Sequence, residues 1–97
     1  MSDGELNILL GELIDHNKRI EQQEFQRMCR ISEDFLIELI DEGILESELV
    51  SNARYFRAIH IQKVKKANRL SSDLGINIAG IALILELLER IEHLEKR

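Results

Sequence analysis

The 97-residue chain has no proline and no tryptophan, a single cysteine, and only three Phe and one Tyr as aromatic residues. The lone Cys29 cannot form an intramolecular disulfide, which excludes a disulfide-stapled scaffold and fits a reducing compartment. The longest apolar run, residues 81–85, is far too short to span a membrane. The first five residues are acidic and do not resemble a signal peptide, so we expect a cytoplasmic protein with no membrane partner.

The common signatures of catalysis and metal binding are also missing from the sequence. The histidines, His16, His60 and His93, have no ligand spacing to one another or to Cys29. No phosphate-binding loop and no nucleophile-elbow motif is present. Cys29 follows Met28 in a short predicted helix, which favours a core or half-buried thiol over a nucleophile. We therefore expect a protein that is not an enzyme and that needs no cofactor or metal.

The residues that are present suit one mostly helical domain, with 44% hydrophobic and 32% charged residues. The net charge of −5 conceals a strong segregation of charge. Residues 1–53 contain 13 acidic and 4 basic side chains, whereas residues 54–70 contain six basic and no acidic ones. We call those six the basic band: Arg54, Arg57, Lys63, Lys65, Lys66 and Arg69.

The first 30 residues predict a strand hairpin followed by a short helix. Residues 6–14 are mostly apolar and indicate a strand, and residues 15–18 are typical of a turn. Ile20 and Glu21 would form a short return strand. A helix over residues 24–30 would then point Phe25 inward.

A second helix is predicted after Ser32, which is a suitable N-cap for the acidic residues that follow it. Its apolar positions fall on one face of a helical wheel, and Gly43 is placed to end it. The inward residues are Phe35, Leu36, Leu39 and Ile40. The opposite face, with Ile37 at its edge, is what we call the acidic strip: Asp34, Glu38, Asp41 and Glu42.

The remaining residues predict a small β wing and two longer helices. Residues 47–56 lack helical periodicity and are assigned to the wing. A third helix over residues 58–74 is followed by a break at Gly75, and a last helix runs from residue 78 to about 95. The inner side of the third helix is predicted to be Ile61, Val64, Ala67, Leu70 and Leu74.

The last helix is apolar on two sides, although docking on its own core needs only one. The docking stripe would be Ile78, Ile81, Ala82, Leu85 and Leu88. The second stripe predicts a homodimer interface: Leu83, Ile84, Leu87, Ile91 and Leu94. Alternatively, the third helix and the N-terminal strand cover both sides of this helix.

Several local strings resemble the MerR-like winged helix-turn-helix fold. They are Ile31-Ser32 before the second helix, Gly43-Ile44-Leu45 after it, Arg54-Tyr55-Phe56 in the wing, and residues 70–75. The resemblance implies a mainly α fold with a small β hairpin or wing and a long C-terminal dimerisation helix. We expect one domain over residues 1–97, with a body over 1–75 and the C-terminal helix over 76–97.

A narrower resemblance covers nearly the whole chain and is to the chaperone modulatory protein family (CbpM). It is carried by Leu9-Leu10-Gly11, by Glu42-Gly43-Ile44-Leu45-Glu46 and most specifically by residues 73–83. This resemblance implies a non-enzymatic modulator that binds the J-domain of a DnaJ-like, curved-DNA-binding co-chaperone. It further implies that binding inhibits the stimulation of DnaK by that co-chaperone.

The acidic strip favours binding to a J-domain over binding to DNA. DNA-binding MerR proteins carry Thr-Ile-Arg-x-Tyr before a Gly-Leu in this helix. Aligned on Gly43, the Arg position falls on Ile37 and the next basic position on Asp41. The predicted partner-binding surface is therefore the acidic strip with Ile37, namely Asp34, Ile37, Glu38, Asp41 and Glu42. The plainer alternative is a solvated helix face.

Two other functions stay open at the level of sequence. One is a small MerR-like DNA-binding transcriptional regulator, with residual nucleic-acid contacts from Arg54, Arg57, Lys63 and Lys66. For these residues the alternative is that they neutralise the acidic half of the chain or of a dimer. The other function is a structural dimerisation module.

Overall fold

Four helices and a three-stranded antiparallel sheet alternate along residues 17–95, which are the residues that the computed structural model describes. The mainly α, winged helix-turn-helix architecture expected from the sequence is confirmed. The predicted strand over residues 6–14 lies outside the described residues, as does its pairing into a hairpin. The elements in chain order are β1 (Arg19–Glu21), α1 (Gln22–Cys29), α2 (Glu33–Asp41), β2 (Glu48–Val50), β3 (Ala53–Arg57), a 3-10 turn (Ala58–His60), α3 (Ile61–Leu74) and α4 (Ile78–Glu95).

The sheet joins the start of the described chain to the wing. Its strand order is β1-β3-β2, so the predicted return strand pairs with the second wing strand. In this register Ile20 lies opposite Phe56, and both side chains are buried. The two wing strands are connected through Ser51 and Asn52, whose φ values of 53° and 69° suit a tight hairpin turn.

Local backbone conformation and a side-chain cap determine where α1 ends and where α2 begins and ends. Helix α1 begins two residues earlier than predicted and ends at Cys29, and the next residue, Arg30, adopts a left-handed φ of 58°. Ser32 then caps α2 as predicted, because its Oγ accepts a hydrogen bond of 3.1 Å from the backbone N–H of Phe35. Helix α2 ends where Gly43 takes a left-handed φ of 79°, a conformation that favours glycine.

A single apolar core connects the three-stranded sheet to all four helices. Phe25 of α1 and Phe56 of β3 stack at its centre, with ring centroids 4.7 Å apart. Cys29 belongs to this core, which confirms its assignment as a core thiol. The largest fully buried side chains are Phe25, Phe56, Leu36, Leu39, Leu45, Ile81 and Val64.

Two details of the third helix differ from the sequence-based prediction. The helix begins at Ile61, because residues 58–60 form a tighter 3-10 turn. Leu74, predicted to face inward, is 69% exposed. Leu74 is the last residue of α3, one turn beyond Leu70, and it is not part of the apolar core. The chain then turns away at Gly75, whose φ is 64°.

Candidate functional site

Helix α2 displays the acidic strip because its other face is fixed in the core. Leu36 and Leu39 are completely buried, and Phe35 and Ile40 pack against the buried cluster. Since these side chains occupy one side of the helix, the four carboxylates of the acidic strip are directed outward, and all four residues are exposed. The sequence prediction for this surface therefore agrees with its placement in the fold.

The carboxylates of the acidic strip are not neutralised within residues 17–95. Elsewhere in the described chain, acidic side chains do find basic partners, such as Glu24 with Arg27 at 2.9 Å and Glu86 with Arg90 at 2.8 Å. No described Lys or Arg forms an ion pair with a residue of the strip. The strip therefore presents four carboxylates without an ion-pair partner in residues 17–95, and their negative charge attracts a cationic partner over a distance of about 10 Å at moderate ionic strength.

Ile37 adds an apolar contact point to this charged surface. It lies on α2 at the edge of the acidic strip, next to Asp41 on the wheel, and its side chain is 41% exposed. An exposed aliphatic side chain beside a row of charges offers the two features of a protein-binding patch, an apolar anchor and polar neighbours. A helix that enters a DNA groove would have a basic or amide side chain at this position.

The basic band differs from the acidic strip, because some of its side chains form ion pairs with acidic side chains of the same chain. Arg57 donates from Nε to Glu48 Oε1 at 2.8 Å and from Nη1 to the carbonyl of Asn17 at 3.3 Å. Glu48 Oε2 accepts a second bond of 2.8 Å from Arg19 Nε, so one carboxylate connects all three strands. These contacts, led by the bond from Arg57, lower the pKa of Glu48 below its ordinary value.

Of the other three predicted nucleic-acid contacts, one also has a partner in the chain. Lys66 Nζ lies 3.8 Å from Glu92 Oε1, across the groove between α3 and α4. Arg54 and Lys63 are half-buried on β3 and α3. Two of the four, Arg57 and Lys66, therefore contact carboxylates of the same chain, which favours the alternative that the basic band neutralises nearby acids.

The second stripe of α4 is open to solvent along most of its length. Leu83, Leu87, Ile91 and Leu94 are 46–61% exposed, and Ile84 is half-buried. On the docking side, Ile81 and Leu85 are buried, and Ile78 and Ala82 pack against the core. Leu88, which was predicted to dock, remains 39% exposed. It lies past the last core contact of α4, where it lines the groove against α3.

The environments of Cys29 and His60 do not favour a catalytic role. Burial raises the pKa of the Cys29 thiol to about 11, and nearby Lys65 only partly offsets this, so the thiolate is scarce at neutral pH. Burial and Lys63 lower the pKa of His60. Within residues 17–95 no cluster of His, Cys, Asp and Glu is arranged to hold a metal ion. None of the described helices combines the length and the apolar character of a membrane span.

Sequence reasoning missed the structural part played by Glu48. The two-residue turn at Ser51 and Asn52 fixes the register of the wing hairpin. In that register Val50 lies opposite Ala53, and Glu48 lies opposite Tyr55. Side chains two positions apart on one strand share a face of the sheet, so Arg57 falls on the same face as Glu48 and diagonal to it. The arginine would then have been assigned to an ion pair inside the sheet instead of to a nucleic-acid contact.

Comparison with known proteins agrees with this architecture. The family model described as "MerR HTH family regulatory protein" matches residues 20–97. "Chaperone modulatory protein CbpM" of Coxiella burnetii (strain Dugway 5J108-111) is 31% identical over 91 residues, covering 93% of this chain and 86% of that protein. The protein of the same name from Pseudomonas entomophila (strain L48) is 32% identical over 79 residues, covering 77% and 78%. No solved structure matches the chain.

Proposed function

The chain belongs to the chaperone modulatory protein CbpM family of MerR-type regulators, and on that premise we propose that it binds the J-domain of a DnaJ-like co-chaperone and inhibits the stimulation of DnaK. Its role is that of a non-enzymatic chaperone modulator acting in the cytoplasm. The observation that carries the proposal is the acidic strip on α2, which has no ion-pair partner among residues 17–95 and lies where DNA-binding relatives have basic side chains.

The charge of α2 argues against nucleic acid as its main ligand. Each carboxylate placed near a phosphate costs on the order of 1 kcal/mol at surface dielectric, in addition to the favourable contact that it replaces. The strip contains four such carboxylates. Because Arg57 and Lys66 already contact Glu48 and Glu92, the basic band has less free charge with which to compensate.

A basic protein helix is the ligand that this surface suits best. The J-domain of such a co-chaperone presents a basic helix to DnaK, as the family resemblance implies. A basic helix lying along α2 would align its Lys and Arg side chains with the acidic strip and cover Ile37. Inhibition then needs no chemistry, since a helix occupied by this protein is not available to DnaK.

We also propose that the protein is a homodimer, which is supported by the open second stripe of α4. Five aliphatic side chains line this side of the helix, four of them at least 46% exposed. A contiguous apolar face of this kind usually marks a protein interface. A second chain would also supply stability that a small domain cannot gain from its own core.

Isothermal titration against the J-domain encoded in the same genome tests the proposed function. We expect binding that weakens as salt is added, and loss of DnaK stimulation in an ATPase assay. The variant Glu38→Lys with Asp41→Lys should bind at least tenfold more weakly and should lose the normal salt dependence, because attraction has become repulsion. The matched control is Glu21→Lys with Asp73→Lys, which changes the net charge equally at two exposed residues outside α2.

Each possible result of this titration leads to a different conclusion about the acidic strip. An unchanged affinity for the α2 variant would exclude the acidic strip as the docking site. No binding of the wild-type protein, together with a gel shift of DNA fragments at physiological salt, would replace the proposal with the alternative of a DNA-binding regulator. Loss of binding in both variants would indicate a general effect of net charge and would also count against a specific strip.

A further inference from the structure

The outer side of α3 carries basic side chains that the described chain neutralises only in part. Val64 and Ala67 are buried on the opposite side of the helix, about 180° away around its axis. We call the three basic side chains the α3 basic face: Lys65, Lys66 and Arg69. Of these three, only Lys66 forms an ion pair among residues 17–95, at the long distance of 3.8 Å from Glu92. The α3 basic face therefore has positive charge available for another molecule.

We propose that the α3 basic face of one copy of this chain binds the acidic strip of a second copy. The two surfaces have opposite charge, and their spacings match. Glu38 and Glu42 of the strip are one helical turn apart, about 6 Å along the helix. Lys65 and Arg69 of the basic face are spaced in the same way. Two helices lying side by side therefore form two ion pairs at once.

The two surfaces do not pair with each other within one chain. None of the ion pairs among residues 17–95 joins α2 to α3. All four residues of the strip are exposed, as are Lys66 and Arg69, and Lys65 is half-buried. The contact is therefore between molecules, and it is head-to-tail, because it joins two different surfaces. Each bound copy keeps one surface free, so association continues until a ring closes, unlike the closed pair proposed through α4.

A second copy suits the α3 basic face better than a nucleic acid does. The chain has 18 acidic and 13 basic residues, so its net charge repels a polyanion. A second copy presents carboxylates together with Ile37, which is 41% exposed beside the strip. The aliphatic stems of Lys65 and Lys66 are apolar and can cover such a side chain while their ammonium groups contact carboxylates. The contact between copies therefore combines ion pairs with the burial of apolar surface.

This contact would regulate J-domain binding, a consequence that rests on the proposed function. An acidic strip that is bound to the α3 basic face of another copy is not available to a J-domain, so the two ligands compete. At low salt the apparent affinity for the J-domain should fall as the concentration of this protein rises. Added J-domain should in turn dissociate the assemblies, because it binds only the free strip.

Sedimentation equilibrium of the full chain tests the contact. The measurements use a background of Leu87→Asp with Ile91→Asp, which removes the proposed α4 interface. We expect self-association in about 10 mM salt, where the screening length is about 30 Å. In about 1 M salt, where the screening length is about 3 Å, we expect monomers.

Two variants in this background each reverse the charge of one surface. The strip variant is Glu38→Lys with Glu42→Lys, and the face variant is Lys65→Glu with Arg69→Glu. Each variant alone should self-associate at least about tenfold more weakly, because its two surfaces then carry the same charge. An equal mixture of the two should restore association, since each variant supplies the surface that the other can bind. The matched control is Glu21→Lys with Glu46→Lys, which changes the net charge as the strip variant does but at two exposed residues outside both surfaces.

Cross-linking by a carbodiimide, which joins lysine to a carboxylate in direct contact, needs no reversed variant. In a mixture of isotopically labelled and unlabelled chains we expect mixed products that join Lys65 or Lys66 to the acidic strip.

Three results would each overturn the inference: monomers in low salt at millimolar concentration, no rescue on mixing, or cross-links confined to other surfaces. Binding of a DNA fragment that only the face variant loses, without self-association, would assign the α3 basic face to nucleic acid. None of these measurements contains a J-domain, so the inference and the proposed function succeed or fail separately.

Discussion

The side-chain oxygen of Asn77 accepts a hydrogen bond of 2.8 Å from the backbone N–H of Gly80, which closes the first turn of α4. A Cβ added at Gly80 would lie 2.9 Å from Ile76 Cγ2 and 3.2 Å from that same oxygen. A side chain at position 80 would therefore crowd the cap, so the close approach of Asn77 favours glycine at that position. This pair lies in the string 73–83, which carries the most specific part of the family resemblance.

Replacing Asn77 by alanine should lower the free energy of unfolding by about 1 kcal/mol, because the N–H of Gly80 loses its partner. Urea denaturation followed by circular dichroism measures this difference. Asn77→Asp keeps an acceptor at the cap and should remain close to wild type. Equal losses in the two variants would mean that the hydrogen bond does not account for the effect.

Glu48 should make the stability of the sheet depend on pH. Its folded-state pKa is lowered from the ordinary value of 4.5 by Arg57 and Arg19, so the ionised form stabilises the native state. This contribution is fully present above pH 4.5 and is lost as the pH falls through the folded-state pKa. We expect wild type to be more stable than Glu48→Gln at pH 7, and the difference to shrink in denaturation experiments at progressively lower pH.

A difference between wild type and Glu48→Gln that stays constant down to pH 3 would contradict this account. The comparison uses Glu46→Gln as a control, since Glu46 is a nearby exposed carboxylate.

The Cys29 thiol should be unreactive in the native protein. It is 2% exposed, and burial raises its pKa to about 11, so both access and thiolate formation are unfavourable. A thiol reagent such as Ellman's reagent at pH 8 should label the protein only as fast as it opens, and immediately once denaturant is added. Rapid labelling without denaturant would show that the core around α1 opens locally.

Charges introduced into the second stripe of α4 should separate the proposed dimer without unfolding the chain. Leu87→Asp with Ile91→Asp puts two carboxylates on an apolar surface, and both residues are almost half exposed within one chain. Light scattering should report a monomer, and circular dichroism should report an unchanged helix content. His93→Asp adds a charge on the same helix outside the second stripe and should stay dimeric.

The regular parts of this fold follow from short-range patterns in the sequence. Ser32, Gly43 and Gly75 mark helix ends through caps and left-handed turns, and these depend only on neighbouring residues. The wing was assigned correctly for the same reason. Leu74 was not, because whether a helix end is covered depends on the direction that the following helix takes after the turn, and periodicity within α3 carries no such information.

For the candidate site, too, some features could be predicted from short-range patterns and others could not. The exposure of the acidic strip could be predicted because Leu36 and Leu39 determine which side of α2 faces the core. The pairing of Glu48 with Arg57 follows from the register of the hairpin, but its pairing with Arg19 could not be predicted, since that contact joins residues 29 positions apart through the sheet. Which exposed surface binds a J-domain depends on the partner as well as on this chain. The sequence predicts the negative charge of α2, and titration of the α2 variant tests whether that surface binds the J-domain.

Among residues 17–95, strand β2 lies at the edge of the sheet and presents Leu49 and Val50 to solvent. An apolar strand at an edge is a template on which other chains can aggregate. Here the strand is only three residues long and begins with Glu48. It is therefore too short to pair firmly with a strand of another chain, which limits the tendency of the apolar wing to aggregate.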